Sequence, residues 1–200
     1  MKITRVRLEC EDPQSQVNFY GRVLGMACQD GLLQVGRTLL EFVPGRPHRY
    51  HLALNWPRNQ WESGINWLAG RTSLVADAQG ETRFEFESWR ARSVYFWDPA
   101  GNLLEAIVRD RLADQRPQPE WLCISEVGLV VDDVPATSQQ LGLPVFGPCR
   151  EDFCALGDDE GLLIVARQGR VWFPTTDFRA ARAPVRVDWG GGQFDSFQAR

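Results

Sequence analysis

The sequence predicts an α+β fold built from one small unit, a strand followed by a helix and further strands, used three times along the chain. Two observations carry that reading. Short runs in which apolar and polar residues alternate have the period of half-buried strands, and each group of runs is interrupted once by apolar residues at helical spacing. The same order then returns after roughly 50 to 75 residues, the mark of a repeated supersecondary unit. With 200 residues, 44% of them apolar and 24% charged, the chain can bury a core, which excludes disorder, collagen and coiled coil.

The first unit, residues 1–46, opens with a strand at 3–10. Val6, Leu8 and Cys10 fall on one face and Ile3, Arg5, Arg7 and Glu9 on the other, so one side meets an apolar layer and the other a polar space. Asp12-Pro13 starts a helix in which Val17, Tyr20 and Leu24 recur at helical spacing, and Gly25 ends it. Residues 32–35 and 38–43 read as strands, closed by Pro44-Gly45. In the second unit, residues 50–109, His51 to Asn55 alternates and Trp61, Ile65 and Leu68 form the helical stripe. Residues 84–86, 94–97 and 103–108 are strands, the last two joined by the turn Asp98-Pro99-Ala100-Gly101-Asn102. A polar segment at 111–120, containing Arg116-Pro117-Gln118-Pro119, reads as a linker. The third unit, 121–200, repeats the order with alternation at 124–131, a short helix at 136–141, and strands at 153–156 and 162–166. Further strands are expected at 171–173 and 185–187, and Gly190-Gly191-Gly192 with the polar remainder reads as loose.

Composition narrows the function. A formal net charge of −4 leaves no whole-chain basic field to draw nucleic acid or an anionic membrane. No apolar run approaches the roughly 20 residues of a membrane span, and the alternating start lacks the apolar core of a signal peptide, so a cytoplasmic protein is expected. The 5 cysteines are scattered with no CxxC pair, and reduced thiols are expected, the spacing of Cys149 and Cys154 included. There is no nucleophile elbow, phosphate loop or dinucleotide fingerprint to support a hydrolase or a kinase. Only 2 histidines, His48 and His51, are present, which limits every catalytic scheme.

Phe19-Tyr20 with Leu24-Gly25 in the first helix, and Asp98-Pro99-Ala100-Gly101-Asn102-Leu103-Leu104-Glu105 in the second unit, resemble the vicinal oxygen chelate superfamily of glyoxalases, extradiol dioxygenases and bleomycin-resistance proteins. The resemblance covers residues 1 to 109 and, more loosely, 122 to 167. It implies βαβββ modules whose sheets pair into a U-shaped cleft: here modules 1–46 and 50–109, paired within 1–110, plus a third related module with an extra C-terminal strand. It also implies metal ligands on the first and last strands of each module. Carried onto this chain, those positions are Arg5 and Glu41 in the first module, His51 and Glu105 in the second, and Glu126 and Ile164 in the third. His51, Glu41 and Glu105 are thus the expected ligands for Zn, Ni, Mn or Mg, with Arg5 where metal-binding members usually carry a histidine.

Two readings stay open. In one, the cleft binds a small anionic or aromatic molecule with an incomplete metal site. Arg5 then neutralises the glutamates in place of a cation, or joins Arg7 to receive an anionic group, while Tyr95 and Trp97 stack on a flat ligand. In the other, a divalent ion polarises a carbonyl and Glu41 or Glu105 acts as base, making a metal-dependent lyase or isomerase of glyoxalase type. Ring-cleaving dioxygenase chemistry is disfavoured, because it needs two imidazoles on one metal face and His48 sits outside the strand. An unpaired third module leaves an edge or face to be covered, so a homodimer is expected.

Overall fold

The computed structural model describes residues 1–197. In the first unit β1 (Ile3–Cys10) leads through α1 (Pro13–Asn18), and a π-helical turn at Phe19–Val23, to β2 (Ala27–Gln29), β3 (Leu32–Val35) and β4 (Thr38–Pro44). The second unit contains β5 (His51–Asn55), α2 (Trp61–Ala69), β6 (Leu74–Val75), β7 (Phe84–Phe86), β8 (Ala91–Trp97) and β9 (Leu103–Arg109). The third has β10 (Cys123–Val131), α3 (Val134–Leu141), β11 (Phe153–Asp158) and β12 (Gly161–Arg167), followed by β13 (Val185–Trp189) and β14 (Gly192–Asp195).

Local chemistry sets the element ends. The Asp12 carboxylate accepts the Ser15 amide at 2.9 Å and Pro13 occupies the first turn of α1. Asp133 does the same for α3 through the Ala136 amide at 2.9 Å, so that helix begins two residues before the alternation suggests. In the turn between β8 and β9, buried Asp98 accepts from the amides of Ala100 and Asn102 and from the Asn102 side chain. It also accepts the Tyr20 hydroxyl at 3.2 Å, so the two segments that carry the family resemblance meet at one carboxylate.

Two sheets result. The first runs β14-β13-β1-β4-β3-β2; the second runs β11-β12-β10-β5-β9-β8-β6, with β7 also paired to β8. The expected pairing of the first module with the second across one sheet is therefore not what forms. β5 takes β9 as its parallel neighbour and β10 as its antiparallel one, while β1 takes β4 and β13 in the same roles. The reason lies in the core. Val6, Leu8, Leu40 and Val187 of the first sheet share one apolar cluster with Leu52, Leu54, Leu104, Val127 and Leu163 of the second, so modules one and two meet through their apolar sides, not edge to edge. Thr38 ties the layers, donating to the Ile3 carbonyl at 2.9 Å and accepting the Ile124 amide at 3.2 Å. Gly36 (φ +54°) lets the turn between β3 and β4 press on the linker end, where a Cβ would lie 2.0 Å from the Leu122 carbonyl oxygen.

Three further expectations change. Residues 171–173 form no strand and contribute only a single bridge, Val171 with Arg179. The glycine-rich end is a hairpin, β13 turning through Gly190-Gly191 into β14. Cys149 and Cys154 are joined by a disulfide, while Cys10, Cys28 and Cys123 are free. The third module finds cover within the chain, where its first strand β10 pairs with β5. Among the described residues no helix is long and apolar enough to cross a membrane.

Candidate metal centre and ligand cavity

The face of the second sheet turned away from the shared core carries the site. Across β9, β5 and β10, Glu105, Ala53 and Glu126 stand in one row, and His51 lies two residues before Ala53 on the same face. Alanine between two glutamates leaves room for their carboxylates to lean together above it. A slip of register in β10 between Ile124 and Glu126 is what aims Glu126 this way. Strict alternation from Ile124, which packs in the shared core, would have turned Glu126 into that core as well.

One ligand atom each from His51, Glu105 and Glu126 lie within 4.8 Å of one another, and all three residues are buried. His51 Nδ1 is 3.1 Å from the Leu103 carbonyl and donates to it, which leaves the Nε2 lone pair facing Glu105 Oε2 at 3.6 Å. Burial pulls His51 down to about 4, so the ring is neutral at pH 7 and this approach is no ion pair. Burial, then repulsion from Glu126, pushes Glu105 up to about 8. Burial also raises Glu126, against the pull of the Arg109 guanidinium. Arg109 is fully buried, donates to Glu126, and has a second nitrogen 3.9 Å from Asp159.

A cavity of about 540 Å³ opens over this cluster, walled by Trp89, Tyr95, Phe153, Trp172 and Phe173. The Trp172 ring lies 4.8 Å from that of His51, and it reaches there because Gly128 is bare: a Cβ would come within 3.1 Å of it. Gly128→Ala is accordingly expected to displace Trp172 and cost about 1 kcal/mol, a drop of roughly 2–4 °C in the unfolding midpoint. A thermal melt followed by tryptophan fluorescence checks both.

The structure brings together His51, Glu105 and Tyr95 of the residues singled out from sequence. It does not bring Glu41, Arg5 or Arg7 there. Glu41 lies on the first sheet, where it accepts from Arg5 at 2.7 Å and faces Arg7 at 3.7 Å. The ion pair expected of Arg5 and Glu41 forms, but on a different sheet from His51 and Glu105. Trp97 is half-exposed, with its ring 5.0 Å from Phe178, and does not line the cavity. Glu126, known from the sequence only as a first-strand position, completes the cluster, and Ile164 takes the fourth strand position beside it. Arg109 was missed although its parity with Glu105 and Ile107 was readable, because it stands next to the linker.

No protein-family model matches the sequence, and no curated protein matches it either. Solved structures do. A Bacillus subtilis protein described as a putative dioxygenase superposes with a TM-score of 0.61 at 17% identity, covering 83% of this chain, which spans 63% of that protein's length. A mutant of glyoxalase I from Zea mays superposes with a TM-score of 0.54 at 16% identity, covering 99% of this chain and 76% of that one. The chain has the fold of the vicinal oxygen chelate superfamily. Within that fold it carries a buried cluster of one histidine and two glutamates that could hold a metal ion.

Proposed function

We propose that the cavity on the second sheet binds a small molecule with an aromatic or apolar body and an anionic group, beside a divalent cation held by His51, Glu105 and Glu126. The observation that carries this is the convergence of an unprotonated imidazole nitrogen and two carboxylates in one buried cluster. The charge balance fits a cation: two buried carboxylates face one guanidinium, so one charge is left to be met by a proton on Glu105 or by a metal. One imidazole with two carboxylates suits Zn, Ni or Mn, and Mg less well. An ion there supplies a Lewis acid for an oxygen of the bound molecule. The Leu103 carbonyl holds the imidazole in one tautomer, Arg109 holds Glu126, and the aromatic wall gives the cavity an apolar lining. Glu105, which forms no salt bridge with a guanidinium among the described residues, is the group able to take or return a proton. The two superposed structures bear the names of a dioxygenase and a glyoxalase. A set with a single imidazole favours lyase or isomerase chemistry of the second kind.

The Arg109–Glu126 pair favours a second reading, a metal-free binding pocket in which the guanidinium does the work of the cation. Metal analysis separates the two. Chelator-treated protein titrated with Zn, Ni and Mn is expected to take up one equivalent per chain, and His51→Ala to take up none. Equal uptake by wild type and variant, or none by either, sinks the metal centre and leaves the metal-free pocket.

A further inference from the structure

One guanidinium at the cavity stands outside the ion pairs of the described residues. Arg170 faces Asp152 at 3.3 Å and Arg109 is paired with Glu126, whereas the Arg150 side chain has no acidic partner among the described residues. Its place is set by a tight hairpin. Arg150 and Phe153 exchange backbone hydrogen bonds around Glu151-Asp152, the Arg150 amide reaching the Phe153 carbonyl at 2.8 Å. The next pair outward, Cys149 and Cys154, is a non-hydrogen-bonded pair with Cα atoms 4.4 Å apart, a spacing that admits a disulfide, and one joins them. Cys154 is buried in β11 and Cys149 is exposed, so the bridge fastens a surface segment to the sheet. Pro148, Arg150 and Phe153, all on or beside that hairpin, line the cavity.

We propose that Arg150, held at the cavity by the Cys149–Cys154 bridge, anchors the anionic group of the ligand, and that reducing the bridge releases the anchor. This rests on the cavity being the ligand site and narrows the ligand to an aromatic molecule bearing a carboxylate, sulfonate or phosphate. A guanidinium offers such a group paired donors in one plane, and a fixed backbone spares the cost of ordering the side chain on binding. Release is a two-electron step. A dithiol reductant gives up two electrons and two protons, the sulfur–sulfur bond becomes two thiols, and the dithiol closes to its own disulfide.

Two fluorescent probes with one aromatic body test it: 8-anilinonaphthalene-1-sulfonate, and N-phenyl-1-naphthylamine, which lacks the sulfonate. The oxidised protein is expected to bind the sulfonate about tenfold more tightly than the neutral probe. Arg150→Gln, an exposed substitution, should remove that preference and leave the neutral probe unchanged. Dithiothreitol, or Cys149→Ser, should weaken the sulfonate in the same direction. Thiol counting on denatured protein should find three thiols before reduction and five after. Five at the outset, a sulfonate preference that survives Arg150→Gln, or one that survives reduction overturns the proposal. Equal binding of both probes overturns the anchor alone, and binding of neither overturns the cavity as ligand site together with it.

Discussion

Arg109→Met is expected to lower the stability of the protein by about 3–5 kcal/mol, a fall of roughly 6–20 °C in the unfolding midpoint. The guanidinium is wholly out of solvent and lies between Glu126 and Asp159, so its removal leaves the Glu126 carboxylate buried with no countercharge. A thioether of similar length keeps most of the packing against Phe146, which isolates the electrostatic part of the loss. The loss should shrink at pH 5. Burial already favours the protonated form of Glu126, and without Arg109 the carboxyl takes up a proton at a higher pH than before. Pairing the change with Glu126→Leu should recover most of the stability, since exchanging both members of a buried ion pair for apolar groups is far less costly than orphaning one. Urea melts of the two single variants and the double variant measure the coupling. A single-variant loss below about 1 kcal/mol would mean that water reaches the pair.

How much of this was readable in the sequence depends on which interaction places each residue. Parity along one strand is local, so His51 and Glu105 could be assigned to the polar face of their strands from their aliphatic neighbours alone. The same rule assigned Glu41 correctly to the face it shares with Arg5 and Arg7. It could not say that this face belongs to another sheet. Which first strand meets which depends on how the apolar sides pack, and spacing carries no record of that. Glu126 is an intermediate case. Ile124 and Val127, three residues apart, both enter the shared core, and this break in alternation is the visible trace of the bulge that turns Glu126 toward His51. Arg150 left no local signal, because it stands in a hairpin closed by a disulfide from the exposed Cys149 to Cys154 in β11, and spacing alone does not show that pairing.

Glu105→Gln is expected to stabilise the chelator-treated protein by about 2–5 kcal/mol above pH 8, roughly 4–20 °C, and to leave it unchanged near pH 4. In the unfolded chain this carboxyl ionises near 4.5, while in the folded protein burial and Glu126 hold it up to about 8. Below 4.5 both states keep the proton and nothing is lost. Between 4.5 and 8 the unfolded chain gives up the proton and the folded one retains it, so stability falls as pH rises and the fall is complete above 8. Glutamine keeps the shape and never ionises, which removes that slope. A divalent ion should reverse the order of the two proteins. Its binding requires the ionised carboxylate, so wild type gains about 5.5 kcal/mol at a metal concentration roughly ten thousand times its dissociation constant, and the variant gains far less. Melts at several pH values, with chelator and with Zn or Mn, should therefore cross: the variant more stable without metal, wild type more stable with it. Parallel curves in both conditions would show that Glu105 carries neither the buried proton nor the cation, and the site would have to be rebuilt around Glu126 and Arg109 alone.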